Sequence, residues 1–214
     1  MKKIAILGFS REGQAVLTYL KKSQLYPNAE ITILDQNAKI KTPKGIKKIL
    51  GVNYLKNLSD FEIVFRSPGI PYELPEIQTA IKNKVKFSSA TKLFFKHKKG
   101  LVIGITGTKG KGTTFTLLYN ILKAAQYKVF LAGNIGVPAV TILPKLKDDS
   151  ITVLELSSFQ LHDLEISPEI AVVLNIFPDH LDSHANFEEY FSAKASIAKY
   201  QKTNNLIFYD SDNA

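Results

Sequence analysis

A glycine-rich loop carries the strongest chemical signal in the sequence. Residues 107–114 read GTKGKGTT and lie between an apolar segment and a segment whose apolar residues recur at helical spacing. Backbone N–H groups exposed by the glycines, together with the positive end of a helix, can surround a polyphosphate, and Lys111 can reach its outer oxygens. The general motif G-x-x-x-x-G-K-[ST] is not met, since its first glycine is missing and Gly112 follows the lysine. We therefore predict a nucleoside triphosphate site in which Thr113 or Thr114 supplies the hydroxyl for Mg²⁺, the alternative being a glycine-rich turn of no function.

A carboxylate and a histidine follow two predicted strands of the same sheet. Glu155 lies near the C-terminal end of the apolar segment 151–156, where open α/β sheets present ligand-binding groups. A carboxylate in such a strand is costly unless it pairs with a lysine or binds a cation such as Mg²⁺. Asp179 and His180 follow the apolar segment 170–175 and are expected at the same edge. We predict a cation-binding cluster there, although a loop histidine more often has only an ordinary hydrogen-bond partner.

A lysine interrupts the apolar face of the last predicted helix, residues 187–200. Aromatic and aliphatic side chains form one stripe along this helix, and Lys194 lies within the stripe. The side chain could extend along that face with its charge in water. Alternatively, it is a functional lysine whose charge is altered by burial.

Strand and helix patterns alternate along the chain and predict two α/β units. The predicted strands of the first unit are 3–8, 30–35 and 62–65, and its helices are 12–22 and about 72–82. The predicted strands of the second unit are 101–106, 128–131, 151–156, 170–175 and 205–209, and its helices are 113–125 and 187–200. The side chains of helix 113–125 expected to face the sheet are Leu117, Leu118, Ile121 and Leu122. Between the units, residues 96–100 (KHKKG) are typical of a linker or of a helix end with a glycine stop.

The composition favours a folded protein of the cytoplasm. With 214 residues, 45% of them apolar, the chain can bury one large core or two modest ones. It has no cysteine, which excludes disulfides and thiolate metal sites, and its first residues run directly into a short apolar strand instead of a signal-peptide core. No apolar stretch approaches the length that spans a bilayer. We expect a cytoplasmic protein that does not associate with membranes.

Positive charge is concentrated in the first half of the chain. Residues 1–100 carry 19 Lys and Arg against 7 Asp and Glu, whereas residues 101–214 carry 9 against 12. A basic half suits an anionic partner such as a nucleotide sugar, a polynucleotide or an acidic membrane surface. Lysines that merely solvate the surface explain the charge equally well, since no basic run is interleaved with exposed aromatic residues.

Together these motifs resemble the Mur ligase family over essentially the whole chain. The loop 107–114 is similar to that family's ATP loop, and its form with Gly112 is also similar to that of folylpolyglutamate synthases. Residues 154–161 (LELSSFQL) resemble the signature of the branch that adds D-glutamate. Three further segments agree with that branch: 67–70 (SPGI), 133–136 (GNIG) and 179–182 (DHLD).

The resemblance implies an α/β fold with a Rossmann-like UDP-sugar-binding domain at residues 1–95. A P-loop-type, mostly parallel ATP-binding central domain would occupy residues 96–214 and would be truncated. A C-terminal amino-acid-binding domain would lie beyond Ala214, so we expect the chain to be a fragment that binds the UDP-sugar but turns over poorly.

The resemblance also implies roles for individual residues. The residues that would bind ATP are Gly107, Thr108, Lys109, Gly110, Lys111, Gly112, Thr113 and Thr114. Those that would bind Mg²⁺ are Thr113, Glu155, His180 and Lys194, the last carbamylated as in the family. Those with catalytic roles are Lys111, His180 and Lys194. Those that would hold the UDP-sugar substrate are Ser10, Arg11, Asp35, Gln36, Ser67, Gly69, Asn134 and Ser157.

The implied reaction is the ATP-dependent ligation of D-glutamate to UDP-N-acetylmuramoyl-L-alanine through an acyl phosphate, in peptidoglycan precursor synthesis. The protein is expected to act as a monomer without binding nucleic acid. Residues 8–13 (GFSREG) do not form G-x-G-x-x-G, which disfavours a classical NAD site. The alternatives are another Mur ligase, a folylpolyglutamate synthase, a nucleic-acid-binding P-loop ATPase, or a nucleotide-binding module without catalysis.

Overall fold

The computed structural model describes residues 1–134, 136–179 and 183–213. The chain divides into two compact units, Met1–Leu93 and Phe94–Ala214. Each unit is built on one five-stranded sheet in which every described strand pair is parallel. The α/β fold class predicted from the sequence is thus confirmed.

The sheet of the first unit grows outward in both directions from its first strand. Its strands are β1 (Lys3–Leu7), β2 (Glu30–Asp35), β3 (Lys47–Leu50), β4 (Ile63–Arg66) and β5 (Lys86–Ser88), and its helices are α1 (Arg11–Ser23) and α2 (Pro75–Lys82). Helix α3 (Ala90–His97) contains the boundary between the two units in sequence. The strand order is β3-β2-β1-β4-β5, so the direction of winding reverses between β1 and β4. In open α/β sheets ligands bind at such a reversal, beyond the carboxyl ends of the strands.

Two strands of the first unit and helix α3 were not predicted. Strand β3 reads KKIL, and both of its lysines are exposed at the edge of the sheet. Strand β5 has three residues and occupies the other edge. Edge strands carry lysines and remain short because this discourages pairing with other chains, and both properties remove the apolar signal on which strand prediction depends.

The sheet of the second unit brings together the ends of the three strands that precede the predicted site residues. Its strands are β6 (Leu101–Thr106), β7 (Val129–Gly133), β8 (Ile151–Glu155), β9 (Ile170–Val173) and β10 (Leu206–Tyr209), and its helices are α4 (Lys111–Ala124), α5 (Ser158–Leu161) and α6 (Phe187–Lys199). The strand order is β10-β9-β6-β8-β7. Strand β6 therefore lies between β8 and β9, and Ile105 pairs with Glu155 on one side and with Val172 on the other. The loops that follow β6, β8 and β9 meet at one edge.

The prediction for the buried face of α4 was half wrong. Leu118 and Leu122 pack against the core that contains Phe115, as expected for the inner face. Leu117 and Ile121, in contrast, are 58% and 56% exposed. Phe115, Leu118 and Leu122 recur at helical spacing and define the stripe that contacts the sheet, and an adjacent pair of apolar residues lies beside that stripe.

The basic run at residues 96–100 contains a helix end. Helix α3 ends at His97, and Gly100 has φ +73°. A Cβ atom at Gly100 would lie 2.1 Å from the carbonyl oxygen of Ser150, which would force the backbone to shift. Of the two possibilities raised by the sequence, the helix end followed by a glycine is the one observed.

No helix within the described ranges is both long enough and apolar enough to cross a bilayer.

We predict that Gly100→Ala destabilises the second unit more than Gly136→Ala does. Both glycines have positive φ, +73° and +85°, so both substitutions strain the backbone. The nearest atom to a Cβ at Gly136 is 3.7 Å away, an ordinary contact, so only Gly100→Ala adds a clash. Urea denaturation should show a free energy of unfolding lower by about 1–3 kcal/mol for Gly100→Ala than for Gly136→Ala. Equal values for the two variants would contradict the steric argument.

Candidate functional site

The glycine-rich loop after β6 is held in place by Asn175, which follows β9. The backbone N–H of Thr108 donates to the carbonyl oxygen of Asn175 over 2.7 Å. The Asn175 side chain accepts from the N–H of Lys109 (2.9 Å) and donates to the carbonyl oxygen of Lys109 (3.1 Å). A Cβ at Gly107 would approach Leu174 Cβ to 3.0 Å and the Asn175 carbonyl oxygen to 3.2 Å, so the loop requires glycine there to lie this close to the end of β9.

The hydroxyl of Thr108 links the loop to helix α6. It lies 2.9 Å from the hydroxyl of Tyr190, and it accepts from the backbone N–H of Phe177 over 3.0 Å. Tyr190 is only 1% exposed. The loop is thereby fixed to two elements, the segment after β9 and the helix that carries Lys194.

Two lysine side chains meet at one backbone oxygen. Lys111 Nζ donates to the carbonyl oxygens of Gly107 (2.8 Å) and Thr108 (2.9 Å). Lys194 Nζ donates to the same Gly107 oxygen over 2.9 Å and lies 4.7 Å from the ring centroid of Tyr190. The sequence left open whether Lys194 extends toward water or is functionally buried, and the structure buries it, with 2% exposure.

Burial lowers the pKa of Lys194 from 10.5 to about 8. Removal from water disfavours the charged ammonium, and the positive charge of Lys111 disfavours it further. The carboxylates of Asp179 and Glu155 oppose both effects. The uncharged amine is therefore far more populated near neutral pH than it is for an ordinary lysine.

Glu155 ends β8 and is completely buried. Its Oε1 accepts from the side-chain amide of Asn134 over 3.2 Å. Its Oε2 has no hydrogen-bond partner within the part of the chain that the structure describes. An ionised carboxylate oxygen without a partner is energetically costly in a buried position. A cation bound to Oε2 would remove that cost, so Glu155 fits the role of a cation ligand.

The remaining residues of the loop lie at the start of α4. Gly110 precedes the helix with φ +82°, and Lys111 and Gly112 form its first two positions. Thr113 is exposed and Thr114 is half-buried. His180, the predicted metal ligand and catalytic residue, lies outside the described residues.

The predicted substrate-binding residues of the first unit surround a cleft of about 230 Å³ at the carboxyl ends of β1, β2 and β4. Those that line it are Ser10, Asp35, Gln36, Ser67 and Gly69. Arg11 is exposed and is the first residue of α1, immediately after Ser10. The cleft thus lies at the point where the winding of the sheet reverses, next to a helix N-terminus.

The backbone around this cleft is rigidly held. The carboxylate of Asp35 accepts from the N–H of Phe9 (2.6 Å) and the N–H of Asn37 (2.8 Å). The hydroxyl of Ser67 donates to the carbonyl oxygen of Gly8 over 2.8 Å. Gly8 has φ +85°, and a Cβ there would lie 2.8 Å from Ser67 Cβ, so the two loops approach each other closely only because this residue is glycine.

Two further predicted substrate residues belong to the second unit. The side-chain amide of Asn134 donates a hydrogen bond to Glu155, as described above. Ser157 is the N-cap of α5 and forms a capping box with Gln160: its hydroxyl accepts from the Gln160 N–H, and the Gln160 side chain accepts from the Ser157 N–H. Ser157 therefore has a structural role in the arrangement described.

The sequence analysis missed Asn175 and Tyr190. Asn175 closes the predicted apolar segment 170–175, at the sheet edge where Glu155 and Asp179 were expected. Tyr190 lies four residues before Lys194, so the two side chains lie on one face of the helix. Both signals were present, but each is common outside functional sites.

Comparison with protein families finds matches in both units. The Mur ligase middle domain matches residues 105–214, and the Mur ligase MurD-like N-terminal domain matches residues 2–89. The chain is 41% identical over 220 residues to UDP-N-acetylmuramoylalanine–D-glutamate ligase of Acetivibrio thermocellus, covering 99% of this chain and 46% of that protein. It is 36% identical over 219 residues to the enzyme of the same name from Clostridium botulinum, covering 99% and 47%. The chain thus spans about half the length of these relatives.

Two solved structures that share the fold are of ligases. The UDP-N-acetylmuramate:L-alanyl-gamma-D-glutamyl-meso-diaminopimelate ligase from Neisseria meningitides aligns with a TM-score of 0.58 and 18% identity, covering 99% of this chain and 72% of that one. A murein peptide ligase from Psychrobacter arcticus aligns with a TM-score of 0.52 and 19% identity, covering 99% and 49%. At these identities the alignments show the fold alone. The two family matches, which together span most of the chain, show that the chain belongs to the Mur ligase family.

Proposed function

We propose that the chain carries the UDP-sugar-binding and ATP-binding parts of a ligase that adds D-glutamate to UDP-N-acetylmuramoyl-L-alanine. The observation that carries the proposal is the meeting of Lys111 and Lys194 at the Gly107 oxygen, in a unit where Glu155 is buried with one oxygen lacking a described partner. The names and identities of the relatives support the choice of amino acid and acceptor.

ATP fits the loop of residues 107–114. Its glycines leave backbone N–H groups at the start of α4, where the positive end of the helix favours the β- and γ-phosphates. In the present arrangement Lys111 is turned back onto the carbonyl oxygens of its own loop. With a nucleotide bound, its ammonium group would turn to the γ-phosphate and follow the charge as that group is transferred.

Mg²⁺ fits the second unit because of the chemistry of its donor groups. The Glu155 Oε2 atom, which has no partner among the described residues, would bind the cation together with a threonine hydroxyl, for which the exposed Thr113 is our choice. The ion would offset the repulsion between ATP and the substrate carboxylate that receives the γ-phosphoryl group. His180 stays a predicted ligand, and so does Lys194 in its carbamylated form.

Carbamylation of Lys194 is favoured by its unusual acidity. Only the neutral amine attacks CO2, forming an N–C bond and releasing one proton, and the lowered pKa provides that amine near neutral pH. The product is an anion, which would replace the repulsion between Lys111 and Lys194 with attraction. A buried lysine that is unfavourable as an ammonium group thus becomes favourable as a metal-binding carbamate.

The cleft of the first unit suits the UDP end of the substrate. The Ser10 and Arg11 positions begin α1, where a diphosphate would meet backbone N–H groups and a guanidinium. Asp35 ends β2, Gln36 follows it, and both offer polar groups to a uracil or ribose. Asn134 and Ser157 of the second unit stay predicted substrate-binding residues.

The proposed reaction has two steps. The ATP γ-phosphoryl group is transferred to the carboxylate of the alanyl residue, which gives ADP and an acyl phosphate. The amine of D-glutamate then attacks the acyl carbon, inorganic phosphate leaves, the nitrogen loses a proton, and an amide remains. Lys111 stays close to the negative charge of the phosphoryl group during its transfer. The site binds the reacting anions next to one another.

Binding of UDP-N-acetylmuramoyl-L-alanine, compared with tetrahydrofolate, tests the proposed branch. We expect the muramoyl compound, and not the folate, to raise the melting temperature in a thermal-shift assay, because ligand binding to the folded state stabilises it. Asp35→Asn should reduce the shift, since it weakens the carboxylate that holds the Phe9 and Asn37 N–H groups. Asp60→Asn, an exposed carboxylate of the same unit, is the matched control. A shift with tetrahydrofolate alone would contradict the proposal.

The titration of Lys194 can be followed by NMR with ¹³C at its Cε. We expect a pKa of about 8, and a higher value in Lys111→Gln, because that variant removes a neighbouring positive charge. Lys123→Gln, on the exposed side of α4, should leave the value unchanged. A pKa near 10.5 in the wild-type chain would refute the burial argument.

The same shift predicts how stability depends on pH. Since the folded pKa of Lys194 lies below the 10.5 of an ordinary lysine, the unfolded chain binds more protons between about pH 8 and 10.5. This residue therefore makes stability rise with pH across that window. Lys194→Met should remove the rise, which urea denaturation at pH 8 and pH 10 would measure. An identical rise in the variant would assign the effect to other groups.

A further inference from the structure

Two histidines and a glutamate to which no role is assigned above converge near the start of helix α6. His162 directly follows α5, His184 lies three residues before α6, and Glu189 is in the first turn of α6. The Nδ1 atoms of the two histidines lie 3.3 Å and 3.2 Å from the same oxygen, Glu189 Oε1. Their potential ligand atoms all lie within 4.8 Å of one another.

We propose that His162, His184 and Glu189 bind a divalent cation of the zinc class, which fastens α5 to the N-terminal end of α6. Two imidazole nitrogens and one carboxylate oxygen form a donor set typical of zinc. A tetrahedral zinc site with bonds of about 2.0–2.1 Å separates its ligand atoms by about 3.3 Å, and the two separations from Glu189 Oε1 match that edge length. A solvent molecule would complete the coordination.

The surroundings of His184 fix the ring for metal binding. Its side chain is 1% exposed, and its Nε2 lies 3.0 Å from the hydroxyl of Ser158. If Nε2 carries the proton and donates to Ser158, Nδ1 keeps a free lone pair directed at the cation. The ring stacks on Phe159 with centroids 5.0 Å apart, which sets its plane. Ser158 is thus a positioning residue for this site.

The carboxylate is also set in place. Glu189 Oε2 accepts from the backbone N–H of Ala185 over 2.5 Å, and Oε1, the atom that both Nδ1 atoms approach, is the one left to bind a cation. One oxygen of the carboxylate is therefore fixed by the backbone, and the other faces the two imidazole rings.

The site is coupled to the glycine-rich loop. His184 contacts Tyr190 edge to face, with ring centroids 5.3 Å apart, and the Tyr190 hydroxyl lies 2.9 Å from that of Thr108. A cation that joins α5 to α6 would therefore hold Tyr190, and with it the loop that we assign to ATP. The metal site itself does not depend on the proposed ligase function, because its residues are separate from those assigned to substrate or Mg²⁺.

Zinc binding to the metal-free chain tests the proposal. We expect one equivalent of Zn²⁺ to compete with a chromogenic chelator and to raise the melting temperature. The chain should also give the visible absorption of four-coordinate Co²⁺ when that ion is added. His162→Gln and Glu189→Gln should each weaken Zn²⁺ binding by more than about tenfold, and Ser158→Ala by about 10–100-fold, as is common when a partner of a metal-bound histidine is removed.

Two control variants identify the site that is responsible. His97→Gln removes a histidine from another part of the chain, and Glu155→Gln removes the carboxylate assigned to Mg²⁺. Both should bind Zn²⁺ as the wild-type chain does. The proposal is overturned if the wild-type chain fails to compete with the chelator, or if Glu155→Gln abolishes binding while His162→Gln retains it. His162 is only half-buried, so its variant should fold, which circular dichroism would verify.

Discussion

The carbonyl oxygen of Gly107 is the point on which the second unit depends. It accepts from both Lys111 and Lys194, so two positive charges that repel each other are held at one position. The arrangement requires glycine at this position, since a side chain would press on the end of β9. A polyphosphate, a metal-bound carboxylate or a carbamate would each relieve the repulsion, which makes the site receptive to anions and to chemistry at Lys194.

The architecture was largely predictable, because buried parallel strands are apolar and therefore conspicuous. The central strands of both sheets were located to within one or two residues. The exceptions have physical reasons. Strand β3 is an edge strand with exposed lysines, and its sequence resembles a loop. Leu117 and Ile121 are apolar but exposed, and helical spacing alone did not distinguish their face from the neighbouring one that packs on the sheet.

Residues of the candidate site were predictable where the sequence places a charged residue within an apolar strand or on the apolar face of a helix. Glu155 within a strand and Lys194 within a helical stripe both conflict with burial, and both proved buried. Residues whose role depends on contacts distant in sequence gave no such conflict. Asn175 forms hydrogen bonds with Lys109, 66 residues earlier in the sequence. The Tyr190 hydroxyl forms one with Thr108, 82 residues earlier. An asparagine after a strand and a tyrosine in a helix are ordinary until the fold brings their partners together.

Strand β10 is an exposed edge strand of the second sheet. All four of its residues, LIFY, are exposed, and its pairing with β9 rests on backbone hydrogen bonds with little side-chain packing. An apolar groove of about 250 Å³ lies beside it, lined in part by Phe191 and Ala198 of α6. An exposed edge strand is the place where a sheet can accept a further strand. Side-chain packing is sparser at β10, where all four residues are exposed, than at β7 on the opposite edge, whose residues are half-buried or buried.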